Sequence, residues 1–426
     1  TSARLVARYT NDVYHYPTDG SGNVVYHNQY QTGGQLVASL DLGRWLTSQL
    51  QARVLLGGTE SSGRVDQQPN SPADTLGFYA FTSFDRLSRR SADARLDFHA
   101  AGGTVLTAGT ALETEAERSS SLSLSQYGPS PGSLVVSRWN RAFYVQALAE
   151  PVRALSLVAG ARAERNQAFG SFATWRAGAA WQLGGAKLHA TVGTAFKEPS
   201  FFENYATGYV TGNPALAPER ATGWDAGVEQ RLLGGRLTLG ATWFSQRFRN
   251  LIQFTFAPPT PTSPNYYNVA AADASGLELV ASVAPGDALS LTAQYTYTHT
   301  SAADSGFDGA AFAQGGRLLR RPSHQASLVA GYRAGARANA SVTALWVGDR
   351  VDEDFSGATP ARVTLPPYLR LDLAGDVALR HARGAAPGVT ATLKVENLLD
   401  RRYEQVLNFP SRRRALYLGL RLGSGR

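Results

Sequence analysis

Side chains suited to recognising a small molecule collect between the alternating stretches of this 426-residue chain. Aromatic rings in these segments could hold planar or apolar parts of a ligand, and arginines could meet its anionic groups. Exposed aromatic clusters are unusual on a solvated surface and favour binding. The alternative is that the segments pack against each other. The candidate ligand-contact residues are Phe201, Phe202, Tyr205, Tyr209, Arg220, Tyr266, Tyr267, Phe307 and Arg317, with Arg247 and Arg249 as further anion partners.

Carboxylates crowd one later segment, where Asp349, Asp352, Glu353 and Asp354 lie within six positions. Oxygen ligands at this density could bind a hard cation such as Ca²⁺. The spacing lacks the regular ligand order of a known calcium loop, so a solvated acidic loop is the alternative. Asp349, Asp352 and Asp354 are the candidate metal ligands, and no other cofactor is expected.

Residues for catalysis are sparse. The chain has no cysteine, which excludes thiol chemistry and disulfides. No Gly-x-Ser-x-Gly element occurs. Seven histidines, at 15, 27, 99, 189, 299, 324 and 381, show no metal-ligand spacing. We therefore expect a protein that is not an enzyme, with a hydrolase at a barrel rim as the least favoured alternative.

The positive charge comes mainly from arginine. The net charge is +8, and the only lysines are Lys187, Lys197 and Lys394. A basic balance is compatible with nucleic acid or anionic surfaces. Here the arginines are spread along strands and turns, so no nucleic-acid partner is predicted.

The elements that position these residues are strands. Thr222, Trp224, Ala226 and Val228 alternate with polar or small residues, and this period of two indicates a strand with one apolar face. Similar stretches recur about eighteen times. No run of 18 apolar residues exists, which excludes helical membrane spans.

Short and long connections alternate along the chain. Tight turns occur at positions such as 184–185 and 234–235, and long segments at positions such as 199–219 and 302–317. Up-and-down outer-membrane barrels have brief periplasmic turns and extended external loops. The fold class predicted is therefore all-β, an antiparallel up-and-down transmembrane barrel.

The predicted faces follow from the width of such a barrel. Eighteen strands enclose too much space to be filled by apolar side chains. We therefore expect Leu416, Leu418 and Leu420 to face lipid, and Arg370 and Asp372 to face a polar lumen.

The mid-chain motifs carry a specific resemblance. Phe-Lys-Glu-Pro at 196–199, Gly-Asn-Pro-Ala-Leu-Ala-Pro-Glu-Arg at 212–220 and Gly-Trp-Asp-Ala-Gly-Val-Glu at 223–229 resemble the barrel signature of TonB-dependent outer-membrane receptors. The stretches at 395–404 and 415–420 are similar to the closing strands of that family. The resemblance implies a bacterial outer-membrane receptor that imports a siderophore or a cobalamin-like corrinoid, with a slight lean towards the vitamin B12 type.

Two departures from the family shape the remaining expectations. Family barrels have about twenty-two strands and an N-terminal plug that engages TonB, whereas about eighteen strands and no plug are found here. The chain also ends without the common terminal aromatic residue. We therefore expect residues 1–426 to be one barrel domain, truncated at its N-terminus, without the plug and first strands. The implied partners are a metal chelate or corrinoid, outer-membrane lipid, and the TonB complex through the missing part. A passive porin or structural barrel is the alternative function.

Overall fold

The computed structural model of this chain describes eleven ranges or single positions. They are residues 1–15, 29–68, 80–125, 128–208, 210–255, 258, 260, 262–304, 315–354, 361–382 and 387–423. Phe307 and Tyr209, two of the candidate ligand-contact residues, lie outside them.

The described residues form strands and one short α-helix, α1, at Phe201–Tyr205. Single 3₁₀ turns lie at Ala101–Gly103 and Leu233–Gly235. The strands are β1 Ser2–His15, β2 Gln29–Trp45, β3 Leu50–Gln67, β4 Phe81–His99, β5 Val105–Ser125, β6 Gly128–Val152, β7 Leu155–Asn166, β8 Gly170–Leu183, β9 Ala186–Lys197, β10 Glu219–Leu232, β11 Leu237–Phe254, β12 Tyr266–Val283, β13 Leu289–Asp304, β14 His324–Ala334, β15 Ala338–Val347, β16 Arg350–Asp354, β17 Ala361–Leu365, β18 Tyr368–Arg380, β19 Gly388–Glu396, β20 Glu404–Val406, β21 Phe409–Pro410 and β22 Ala415–Gly423.

Eighteen of these strands join in one antiparallel sheet. Each strand pairs with the next along the chain, and the hairpins β16–β17 and β20–β21 stand apart in long connections. Within the described ranges, no pairing joins β1 to β22. The predicted up-and-down meander of about eighteen strands is confirmed. No helix in these ranges has the length and apolar character needed to cross a membrane.

Alternation along the strands separates an apolar face from a polar one. Leu416, Leu418 and Leu420 have 63%, 77% and 71% of their surface exposed. On the other face, the side chain of Asp372 is 16% exposed and pairs with Arg370. An exposed leucine face suits lipid, as the strand pattern predicts.

The polar face is the concave one. Tyr144 of β6 donates a hydrogen bond to Asp93 of β4, at 2.9 Å, across the intervening β5. Arg138, which shares this face of β6, contacts the segment that follows β9 and thus reaches across β7 and β8. Such chords between non-adjacent strands are possible only inside a curved wall.

Several strands run further than their composition suggests. The segment from Gly57 to Phe84 and the Ser-rich segment 119–133 are read from sequence as loops, but β3 to β6 extend through much of both. Pro129 and Pro131 are tolerated because that part of β6 pairs only with β5, since the ladder to β7 begins at Asn140. These extensions form a tall flap on the long-connection end.

Candidate functional site

The connection between β9 and β10, residues 198–218, forms the centre of the candidate site and is called the rim loop below. The sequence reading expects only irregular structure here because of its prolines, but the loop contains helix α1. Ser200 accepts a hydrogen bond from the backbone N–H of Glu203, and Glu203 accepts one from the backbone N–H of Ser200. This capping box satisfies two backbone donors and allows so short a helix to form.

Arg138 of β6 joins the start of the rim loop to the inner wall. Its guanidinium contacts Glu115 of β5 at 2.8 Å and Glu198 at 3.3 Å. It also donates to the carbonyl oxygen of Pro199 at 2.7 Å and lies 4.5 Å from the ring centre of Phe201. The Arg138 side chain is only 12% exposed, so this is a largely desolvated hub. It holds the loop across β7 and β8.

The second half of the rim loop is fastened to β12 and the segment before it. The backbone of Thr211 exchanges hydrogen bonds with Asn265 through the Asn265 side chain and backbone, at 2.8 and 2.9 Å. Asn213 donates to the carbonyl of Tyr266. Asn268 exchanges hydrogen bonds with Ala217. The loop is therefore a strap that is tied at both ends of its span.

The aromatic candidates separate into buried and available rings. Phe201 is 4% exposed and packs under Arg138, so its ring serves the anchor. Phe202 is 46% exposed, and its ring lies edge-on to Tyr266 at 6.3 Å. Tyr266 also contacts Phe254 at 5.2 Å. These three rings, called the rim aromatic group below, form one surface at the long-connection end.

The other two aromatic candidates are less available. Tyr205 ends helix α1 and is half-buried. Tyr267 follows Tyr266 in β12 and is also half-buried. The structure therefore brings together Phe202 and Tyr266 from the candidate set, and adds Phe254.

Charged groups border the rim aromatic group. Lys197 lies 3.8 Å from Glu203 and 3.3 Å from Glu219. Glu198 is more deeply placed, and burial raises the pKa of its carboxyl although Asn140 and Arg138 oppose the shift. A ligand at this position would meet aromatic rings beside a mixed set of charges.

The arginines of the candidate set do not join these rings. Arg220 pairs directly with Arg249 and shares the face of Trp224, which is the lipid-facing side. Arg247 lies on the same face and pairs with Asp273. None of the three is placed to meet a ligand held at the rim aromatic group.

Arg317 and the candidate metal ligands form a second, separate cluster. Arg317 donates to the Asp349 carboxylate at 2.7 Å and holds its pKa below the usual range. Asp352 is fully buried, pairs with Arg320 at 2.8 Å and accepts the backbone N–H of Leu407. Two of the three carboxylates are thus already paired with arginine.

The metal prediction gains no support from this geometry. In the described part of the chain, no group of three or more His, Asp or Glu side chains is arranged to hold a metal ion. Asp354, the third candidate, ends β16. Calcium binding therefore stays a prediction and is not carried further.

Arg138, Glu115 and Glu198 are the residues that sequence reading missed. Their juxtaposition depends on strand register and on a loop about 60 positions later in the chain, so no local signal marks it. Helix α1 did have a signal, because Ser200 followed three residues later by Glu203 is a capping-box pattern.

Comparisons with known proteins agree with this architecture. Residues 2–398 match the family model described as TonB dependent receptor-like, beta-barrel. The ferric-catecholate import receptor Fiu of E. coli K12 is similar at 14% identity and a TM-score of 0.71, over 98% of this chain and 72% of that one. The siderophore receptor PiuA of Acinetobacter baumannii gives 15%, 0.72, 98% and 71%. The copper transporter OprC gives 14%, 0.72, 98% and 75%. At these identities the solved structures show the fold alone.

Proposed function

Since the chain belongs to the TonB-dependent receptor β-barrel family, we propose that it forms the barrel of a receptor that imports a metal chelate. The family and its structural neighbours are transport receptors of the bacterial outer membrane and not enzymes. The long-connection end then faces outward, because external loops are the longer ones in such barrels. The rim aromatic group lies at that end.

The rim aromatic group is the observation that carries the proposal. Phe202 and Tyr266 belong to different loops and are held together by the hydrogen bonds of the strap. Rings fixed in this way can bind a planar ligand at low entropic cost. Lys197 adds a cation at the border, with a side chain 61% exposed.

A siderophore is favoured over a corrinoid as the ligand. Fiu and PiuA are described as receptors of ferric catecholates and of siderophores, and OprC as a copper transporter. Catecholate-type chelates are planar and anionic, which suits aromatic rings beside a lysine. The slight lean of the sequence towards vitamin B12 has no support among these neighbours. We propose that uptake is energised through the TonB complex.

Uptake by cells that produce the full-length protein tests this function. We expect accumulation of a radiolabelled ferric siderophore that stops when TonB is deleted. Uptake that continues without TonB, or leakage of small sugars from liposomes that carry the protein without ligand, would instead identify a passive porin.

Binding to the variants locates the ligand. The double change Phe202→Ala and Tyr266→Ala is expected to weaken siderophore binding about tenfold, because two stacking surfaces are lost. Phe143→Ala, which removes an aromatic ring that is 57% exposed on the outer wall, is the matched control. Equal affinity of the double variant and the control would reject the rim aromatic group as the site.

A further inference from the structure

Three arginines lie together on the outer face of the barrel near its long-connection end. Arg220 is the second residue of β10, and its direct cross-strand partner on β11 is Arg249. Arg247 pairs across the same two strands with Thr222. Each of the three shares the face of Trp224, and each is exposed. They are called the outer arginine patch below.

The patch has an excess of positive charge that protein groups do not balance. Asp273 pairs with Arg247 at 2.8 Å. Within the described ranges, neither Arg220 nor Arg249 lies within ion-pair distance of a carboxylate. Like charges directly opposite each other on two strands are destabilising. The arrangement is therefore better explained by a bound anion than by a contribution to the stability of the wall.

The height of the patch indicates where that anion lies. Trp175 and Trp224 are 48% and 46% exposed on the same face. Such aromatic residues line the membrane interface in outer-membrane barrels. Arg220 is four residues nearer the rim than Trp224, which is about 13 Å along the strand. This places the guanidinium groups beyond the acyl chains, at the level of lipid headgroups.

The surface at this level is concave. A depression of about 560 Å³ is lined by the three arginines together with Trp175, Thr222 and Trp224. It lies where the pairing of β8 with β9 stops. The last paired residues are Arg176 and Gly193, although β8 begins at Gly170 and β9 continues to Lys197. The opening between the two strands gives room for a headgroup beside the arginines.

We propose that the outer arginine patch binds a phosphate group of an outer-leaflet membrane lipid. Guanidinium forks bind phosphate oxygens in a bidentate manner, and the face that carries them is turned away from the lumen and its ligand. The tryptophans hold the glycerol or sugar part of the same lipid at the interface. This inference rests on the outer-membrane location and does not depend on which chelate the receptor imports.

Titration with a phosphorylated lipid tests the proposal. The full chain is purified in a non-ionic detergent, and diphosphoryl lipid A is added while bound lipid is counted by native mass spectrometry. A basic residue near an anionic surface contributes about fivefold in affinity, so Arg220→Ala with Arg249→Ala should weaken binding about thirtyfold. Arg220→Lys with Arg249→Lys should fall in between, because charge is kept and the fork is lost.

Arg90→Ala is the matched control, since Arg90 is exposed on the outer face of β4, between Gly58 and Thr114. It should change binding by less than twofold. An equal loss in Arg90→Ala, undiminished binding in the double alanine variant, or equal binding of lipid A stripped of its phosphates would each overturn the proposal. Inorganic phosphate that displaces the lipid at equal concentration would also overturn it, by identifying a soluble anion site. Thermal unfolding by circular dichroism should show no loss of stability in the alanine variant, because a repulsive pair has been removed.

Discussion

Replacement of Arg138 by alanine should release the first half of the rim loop while the second half stays fastened. The variant leaves Glu198 and Glu115 without their cation, although their side chains are only 10% and 20% exposed. It also removes the bond to the Pro199 carbonyl and the contact with the Phe201 ring. The loss therefore falls on one end of the strap.

The magnitude follows from burial. Removing one partner of a buried ion pair costs about 3–5 kcal/mol, and the residual exposure of this hub reduces the figure to about 2–3 kcal/mol. If that energy holds the loop closed, its opening equilibrium rises about 30- to 150-fold. The amides of Asn204 and Ala206, which donate to Ser200 and Phe202 in helix α1, report on the opening.

Hydrogen exchange followed by mass spectrometry measures this directly. Peptides that cover 200–206 should exchange faster by the stated factor in Arg138→Ala, whereas the Asn265 amide, bonded to Thr211, should keep its protection. Arg89→Ala is the control, because Arg89 pairs with Glu113 and Glu115 on the wall and has no ion pair with the rim loop in the described ranges. Unchanged exchange at 200–206 in Arg138→Ala, or an equal increase in Arg89→Ala, would refute the hub.

Three further predictions follow from single contacts. Burial raises the pKa of Glu198, so its folded form holds a proton more readily than its unfolded form; loop protection should be greatest below about pH 4.5 and fall as pH rises through the raised pKa, and Glu198→Gln should abolish that dependence. Asp352→Ala removes the acceptor of the Leu407 amide and should speed its hydrogen exchange tenfold or more. Gly109→Ala would place a methyl group 2.4 Å from the Tyr144 ring and should lower the free energy of unfolding by about 1–3 kcal/mol in urea titrations.

Each of these has an outcome that would contradict it. A pH dependence that survives in Glu198→Gln would assign the titration to another group. Wild-type exchange of the Leu407 amide in Asp352→Ala would show that the hairpin does not depend on that carboxylate. Unchanged stability of Gly109→Ala would mean that the Tyr144 ring can move aside, and loss of its bond to Asp93 would then be visible by NMR.

The strand pattern was predictable to a large extent, because alternation is a property of neighbouring residues. The side of each leucine in 416–420 follows from a period of two and from the width of the barrel. The same rule, extended two residues before Thr222, already places Arg220 on the outer face. Treating it as a loop residue was the error, since β10 begins at Glu219.

Loop structure was predictable only where a local device exists. The capping box of Ser200 and Glu203 is such a device. The extended β5–β6 flap is not, because serine-rich and proline-containing segments become strands there only through pairing with each other.

The sequence by itself determined the class of the protein: a meander of strands with one greasy and one polar face, and with short and long connections in turn. Only the tertiary structure decided that Arg138 holds the rim loop, that Phe202 meets Tyr266, and that Asp349 and Asp352 are already paired. The physical reason is range. A strand's faces depend on residues two positions apart, whereas each of these contacts depends on how a curved wall brings together segments from 32 to 64 positions apart.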